Sequence, residues 1–303
     1  MPLVVTGSIG IDTVHTPSGS AEEVLGGSCV YFAAGAGFFA PVRLVAAVGD
    51  DFDERHMNTL NAFPNVDLSG LERRAGSKTF RWTGRYLDNM NDRETIEVHL
   101  GVLGERPAPA PDSFRDSEFL FLANTDPVTQ LEFLESFPNR RLAVADTMDL
   151  WIQTKRDELN SLLDHIDGLI LNDSEAELLT EDPNAVRAAR TIRERHDLGF
   201  VLVKKGEHGS ILFHRRGMAA LPAYPVERVI DPTGAGDSFA GGLMGYLAAV
   251  GRTDFEAIQA AMTHGTVISS FTIEAFSLDR LRQIGEAEIH KRMIEFARAV
   301  RVI

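Results

Sequence analysis

The chain of 303 residues has one cysteine, Cys29. No intrachain disulfide and no cysteine-rich zinc site can form, which fits a reducing, cytoplasmic setting. Cys29 precedes Val30, Tyr31 and Phe32, apolar neighbours that predict a buried thiol rather than a reactive one. Basic residues are also scarce: 30 Lys and Arg face 44 Asp and Glu, for a formal charge of -14. Such a surface repels phosphodiester backbones, so general nucleic-acid binding is excluded, while a local basic pocket for a small phosphate stays open. Long apolar runs are missing too. Residues 1–10 lack the basic start and apolar stretch of a secretory leader. The longest uncharged run, 24–42, is broken by Gly26, Gly27, Ser28 and Pro41 and is short for a membrane span. It reads as a loop, a buried helix and the start of a strand. There are no low-complexity tracts or internal repeats, and 44% hydrophobic with 24% charged residues excludes a disordered scaffold.

What is present is an alternation of short apolar runs with amphipathic helical stretches, which predicts an α/β fold with parallel strands. The predicted strands are 3–6, 42–48, 119–123, 142–145, 168–171 and 200–204, each apolar enough to be covered on both faces. Leu131 and Leu134, and then Ile152, Leu159, Leu162 and Leu163, follow helical spacing and supply crossovers. One region departs from this pattern. Residues 78–87 and 95–100 read as strands around the turn-rich 88–92, hence an antiparallel hairpin. With a short pair around 12–24 it would make a small sheet projecting from the body as a lid, and the Pro-rich 107–111 would lead back as a stiff linker.

The most informative segment is 229–244, read as an apolar strand end, a Gly-rich turn and an apolar helix. A helix N-terminus leaves N–H groups unpaired and carries partial positive charge, so this turn suits an anion, and Gly234 and Gly236 allow its close approach. Asp231 and Thr233 already offer capping side chains, so a cap does not explain Asp237. A carboxylate beside an anion hole suits removal of a proton from a hydroxyl, while the N–H groups absorb charge developing on a transferred phosphoryl group. The alternative is a capped helix after a tight turn.

The string Asp-Pro-Thr-Gly-Ala-Gly-Asp-Ser-Phe at 231–239 resembles the C-terminal signature of the ribokinase-like carbohydrate and nucleoside kinases, also called the phosphofructokinase B family. Gly26-Gly27 before a buried helix, then Val-Gly-Asp-Asp at 48–51, resembles its N-terminal signature, and the resemblance spans essentially the whole chain. It implies one kinase domain over 1–303. The expected fold is a three-layer αβα sandwich with a mainly parallel sheet and a β lid from 78–100, joined by 12–24. The implied reaction is ATP-dependent transfer of the γ-phosphoryl group to a hydroxyl of a small sugar or nucleoside, with Mg2+.

By the same resemblance Asp237 is the base, and Gly234, Ala235 and Gly236 are the anion hole. Asn172 and Glu175 hold Mg2+ through water, although alone they read equally as an N-cap with its capping-box glutamate. Lys204, Gly206 and Gly209 lie along the nucleotide, where a plain β-hairpin is the alternative. Asp12 accepts hydrogen bonds from substrate hydroxyls, or is a surface turn residue, and Gly26, Gly27 and Ser28 pack against the sugar. A monovalent cation such as K+ near Asp231 and Thr233, and a homodimer through the lid, are implied in the same way. The chain departs from relatives at Tyr31, where Asn is common, and at Ser28, where several sugar kinases have Lys.

Asp12 favours a neutral polyhydroxylated ligand unless Arg81 or Arg85 offsets its charge, and Tyr31 in place of an amide tilts the choice toward a nucleoside or a less polar sugar. Two other function classes compete. A non-catalytic sugar or nucleoside sensor would share the pocket. A serine hydrolase would use Ser238 in Gly-Asp-Ser-Phe-Ala at 236–240, with His264 or His290 downstream. A P-loop is excluded, since Gly-Ser-Lys-Thr at 76–79 has the wrong order. His264, on a helix predicted over 255–270, either approaches the adenine or packs in the core. Trp82 either stacks on a ligand or packs in the lid, and the alternation Phe80, Trp82, Tyr86 predicts one covered lid face.

Overall fold

Successive residues of a strand face opposite ways, so a strand apolar throughout needs cover on both sides. In the computed structural model, which describes residues 1–300, two helical layers give that cover. The strands are β1 (Leu3–Thr6), β2 (Gly10–Thr16), β3 (Gly19–Gly26), β4 (Val42–Gly49), β5 (Val66–Arg74), β6 (Phe80–Tyr86), β7 (Arg93–His99), β8 (Phe119–Leu122), β9 (Leu142–Asp146), β10 (Gly168–Asn172), β11 (Phe200–Lys204), β12 (Ser210–His214) and β13 (Gly217–Leu221). The α-helices are α1 (Ser28–Ala36), α2 (Glu54–Asn61), α3 (Pro127–Glu135), α4 (Asp149–Thr154), α5 (Arg156–Leu163), α6 (Asp173–Thr180), α7 (Ala185–Arg195), α8 (Ala235–Val250), α9 (Phe255–Thr272) and α10 (Glu286–Ala299).

Val4, Leu120 and Leu122 pack against α3, α5, α6 and α7, while Leu3, Val5, Phe119 and Phe121 pack against α1, α8 and α9. Each fully buried side chain of this size contributes about 1.5–3 kcal/mol. The nine-stranded sheet runs in the order β13-β12-β11-β10-β9-β8-β1-β4-β5, parallel except for the antiparallel β11-β12 and β12-β13 pairs. The chain builds one side of β1 first, through β4 and β5, and then the other from β8. Such a reversal opens a crevice beyond the carboxyl ends of the strands, the common ligand position in open α/β sheets.

A second sheet, in the order β3-β2-β6-β7, is the projecting one. The hairpin expected over 78–100 and the pair expected around 12–24 both form, the latter longer than predicted, and β2 joins β6 in parallel. Tyr86 is buried and Phe80 and Trp82 are half-buried, whereas every residue of β7 is exposed.

Several details differ from the sequence reading. β5 and β13 were not expected, and β12 only as the second arm of the alternative β-hairpin after Lys204: β5 and β13 are edge strands with part of their length exposed, so they lack a continuous apolar run. The segment before Asp231 is irregular rather than a strand end, since Pro222 and Pro225 have no N–H for a ladder. In 24–42 the first residues close β3 instead of forming a loop. The helical stretch 149–163 breaks at Lys155, which adopts φ -138° and ψ 43°. No helix among the described residues is long and apolar enough to cross a membrane.

Candidate active site

Three neighbouring strands end in polar residues: β9 in Asp146, β10 in Asn172 and β11 in Lys204. The register sets Asn172 opposite Lys204 and Ile170 opposite Asp146. Across the end of β10, Lys204 Nζ lies 3.4 Å from Asp146 Oδ2. Burial alone would lower the lysine pKa, but Asp146, Glu175 and Asp237 together outweigh it and raise it.

Asn172 caps α6. Its Oδ1 accepts from Glu175 N at 2.7 Å, and Glu175 Oε2 accepts from Asn172 N at 2.7 Å, which completes the capping box. Burial pushes Glu175 up to about 8, and Asp146 adds to this while Lys204 opposes it.

The Gly-rich turn leads into α8 from Gly234, whose φ of 74° is left-handed. A Cβ at Gly234 would also lie 2.2 Å from the Tyr31 ring, so the position requires glycine on two counts. Asp231 shapes the turn by accepting from Thr233 N at 2.9 Å. At Gly236 an added Cβ would sit 2.8 Å from Lys204 Nζ, so the ammonium rests against the first turn of α8. Asp237, in that turn, is raised to about 7 by burial and by Asp146, against the pull of Lys204 and Arg93.

Asp12 on β2 faces the same centre. It is raised to about 8 by burial and by the charges of Asp231 and Asp237, and its buried Oδ1 has no hydrogen-bond partner. A Cβ on Gly26 would fall 1.9 Å from Asp12 Oδ2. Gly27, at φ 104°, lets the chain pass Ser8 and Ile9. The Ser28 hydroxyl is used within the fold, donating to Asn124 O at 3.0 Å. Arg81 pairs with Glu23 and Asp51.

Beside these groups lies a cavity of about 520 Å³. Lys204, Gly206, Gly209, Gly236 and Phe239 line it, and the lid turn Asn89, Met90 and Asn91 reaches its edge. Ser210 adds a buried hydroxyl without a partner. Residues 204–209 thus serve as the hairpin between β11 and β12 and as a cavity wall, so the two sequence readings are compatible.

Other expectations resolve differently. Ser238 is fully buried, donates to Ala235 O at 3.1 Å and accepts from Thr272 Oγ1 at 2.8 Å. It faces the α8–α9 packing and cannot be an exposed nucleophile, which overturns the hydrolase reading. His264 stacks on Tyr246 at 3.9 Å, its Nδ1 3.1 Å from Ala260 O, and is a packing residue outside the cavity wall. His290 is exposed on α10. Cys29 is buried, donates to Ser8 O at 3.1 Å and has its thiol pKa raised by burial. Trp82 donates to Thr95 Oγ1 at 3.1 Å and packs over Gly84 within the lid.

Asp146, Tyr86 and Arg93 were missed by the sequence reading. Asp146 had a signal, a charge closing the apolar run Leu-Ala-Val-Ala. Tyr86 was noted only for its place on the covered lid face, and nothing local marks Arg93.

Comparison with known proteins agrees with this geometry. The profile of the pfkB family carbohydrate kinase matches residues 3–278. A cytidine kinase of Thermococcus kodakarensis is 30% identical over 255 residues, covering 81% of this chain and 88% of that protein. A nucleoside kinase of Burkholderia thailandensis in complex with inosine superposes with a TM-score of 0.80 at 19% identity, over 97% of this chain and 98% of that one. A putative ribokinase II of E. coli in complex with ATP and Mg2+ gives 0.77 at 17% identity, over 97% and 99%. At these identities the two structures establish the fold.

Proposed function

The chain belongs to the pfkB family of carbohydrate kinases and is a phosphotransferase, and from that premise we propose that it transfers the γ-phosphoryl group of ATP to a primary hydroxyl of a nucleoside. The observation that carries the chemistry is Asp237 in the first turn of α8, beside Gly234–Gly236, with Lys204 against Gly236. Asp237, once ionised, takes the proton of the attacking hydroxyl. The N–H groups of Gly234 and Gly236, with the Lys204 ammonium, stabilise charge on the transferred group, whereas the Ala235 N–H, expected to join them, donates to Pro232 O at 3.2 Å. Asp12 offers its unpaired Oδ1 to acceptor hydroxyls, while Gly26 and Gly27 keep the wall beside it thin. Gly206 and Gly209 border the donor nucleotide in the 520 Å³ cavity. This array of Asp237 and glycines stands against the sensor reading.

Of the two arginines that could favour an anionic acceptor, Arg81 is engaged by Glu23 and Asp51 and Arg85 is exposed on β6, which supports a neutral acceptor beside Asp12. Tyr31 does not serve as a base platform, because its ring packs on Gly234. The preference for a nucleoside over a bare sugar is supported by the similarity to the cytidine kinase.

The residues fit magnesium. Asp146, Glu175 and Asp237 crowd buried carboxyls around one ammonium, and burial raises the pKa of each, so added positive charge is what this corner lacks. Asn172 and Glu175 would hold the ion through water. When bound, Mg2+ neutralises charge on the phosphates. Around the place implied for a monovalent cation, Asp231 accepts from Thr233 N and Ser277 N, and the Thr233 hydroxyl donates to Tyr86.

In this reading 1–303 acts as one kinase unit whose lid, 78–100 with 12–24, covers the acceptor and excludes water. Half-exposed Ile96 and Val98 on β7 support a dimer contact through the lid. An ADP-release screen with ATP and Mg2+ over nucleosides, ribose, fructose and sugar phosphates tests the proposal. Turnover on nucleosides is expected. Turnover on bare sugars alone would remove the nucleoside assignment, and turnover only on a sugar phosphate would remove the role given to Asp12.

A further inference from the structure

The Gly-rich turn is held from two sides. From the body, the Tyr31 ring presses on Gly234 so closely that no side chain fits there. From the lid, Tyr86, only 6% exposed, brings its hydroxyl to Thr233 Oγ1, which donates to it at 3.3 Å. The Thr233 N–H is already bound to Asp231, so its hydroxyl is the remaining handle on the turn. Tyr86 ends β6 opposite Arg93 of β7, and the turn beyond them carries Asn91 to the donor cavity, where a Cβ on Gly206 would sit 3.0 Å from Asn91 Oδ1. One hairpin therefore touches both the turn ahead of Asp237 and the loop along the cavity.

We propose that Tyr86 is a positioning residue for phosphoryl transfer: its hydroxyl arrives with the closed lid, fixes Thr233, and through it aligns the N–H groups of Gly234 and Gly236. This rests on the reading of that turn as the anion hole. At 3.3 Å the contact is long for a hydroxyl pair. Donors aimed at developing charge are effective only when already in place. The Tyr86–Thr233 contact makes that condition depend on the lid, so that the donors align once an acceptor is enclosed.

The test compares Tyr86→Phe, Thr233→Val, the double variant and the conservative Thr233→Ser. Tyr86→Phe should lower kcat about two- to tenfold, the scale of one neutral hydrogen bond, with KM for ATP changed less than about twofold on the same scale. ADP released per acceptor phosphorylated should rise. Thr233→Val should match it, the double variant should lose no more than either single one, and Thr233→Ser should keep wild-type turnover. Additive losses, or an unchanged kcat in Tyr86→Phe, would overturn the proposal. Amide hydrogen exchange needs no acceptor and separates this from an error in the substrate assignment. Tyr86→Phe should exchange faster in β6, β7 and 233–235 while the nine-stranded sheet is unchanged, and equal protection in both proteins would refute the contact's role.

Discussion

Lys204 and Asp146 meet across the end of β10, with Nζ and Oδ2 3.4 Å apart, and this ammonium is shared with Glu175 and Asp237. The electrostatics of the site depend chiefly on that cation, with Arg93 a weaker second pull on Asp146 and Asp237.

Removing it should be costly. Lys204→Met leaves Asp146 buried without its salt-bridge partner and should destabilise the fold by about 3 kcal/mol, more at pH 8 than at pH 6, because burial already raises the Asp146 carboxyl and loss of the ammonium raises it further. Adding Asp146→Leu should recover much of the loss. Urea midpoints of the two variants at both pH values check this, and equal midpoints for Lys204→Met and the wild type would show that the pair carries no weight.

Asp237→Asn should reduce turnover by about a hundredfold to ten-thousandfold, the range for loss of a general base, with nucleotide affinity nearly unchanged by calorimetry. Near-normal turnover would remove Asp237 from its role.

The carboxyls also set opposite pH trends for stability and activity. Asp237, Glu175 and Asp12 lie at about 7, 8 and 8, raised in each case mainly by burial. The folded chain keeps protons that the unfolded chain has lost, so this stabilisation is full below about pH 4, the ordinary carboxylate range, and is lost as pH rises toward 8. The melting temperature of the ligand-free enzyme should therefore fall between pH 5 and 8.5. Catalysis needs Asp237 ionised, so kcat/KM, which reports the free enzyme, should rise through about pH 7 over the same window. Thermal melts and a pH–rate profile test both slopes; a melting temperature that climbs with pH would contradict the burial of these groups.

Gly26→Ala addresses the acceptor side. Its Cβ would fall 1.9 Å from Asp12 Oδ2, so the carboxylate must move. A displacement costing about 1.4 kcal/mol corresponds to tenfold in acceptor KM, while ATP affinity should stay constant. An unchanged acceptor KM would take Asp12 out of the acceptor site.

The central strands were legible because burial on both faces demands apolar runs, and 3–6 and 200–204 appear with the predicted bounds. The edge strands β5 and β13 were not, since one exposed side relaxes that demand. Within the candidate site, the Gly-rich turn ahead of Asp237 was legible from local backbone geometry, and so was the capping box of Asn172 and Glu175, whereas the roles expected of those two residues came from the resemblance alone. Tyr86 and Arg93 could not be assigned to it: the parallel β2–β6 pairing, between segments far apart in sequence, holds their hairpin against the body.

That pairing has a consequence during synthesis. The partner of Gly10 in the lid is Phe80, seventy positions later. At roughly 5–20 residues per second the β2–β3 hairpin waits several seconds on the ribosome with the edge of β2 uncovered. Ile11 and Val14, both buried in the finished protein, lie on that waiting strand. Slowing elongation between positions 26 and 80 should therefore increase aggregation of nascent chains, and a chaperone that shields a bare strand edge should relieve it.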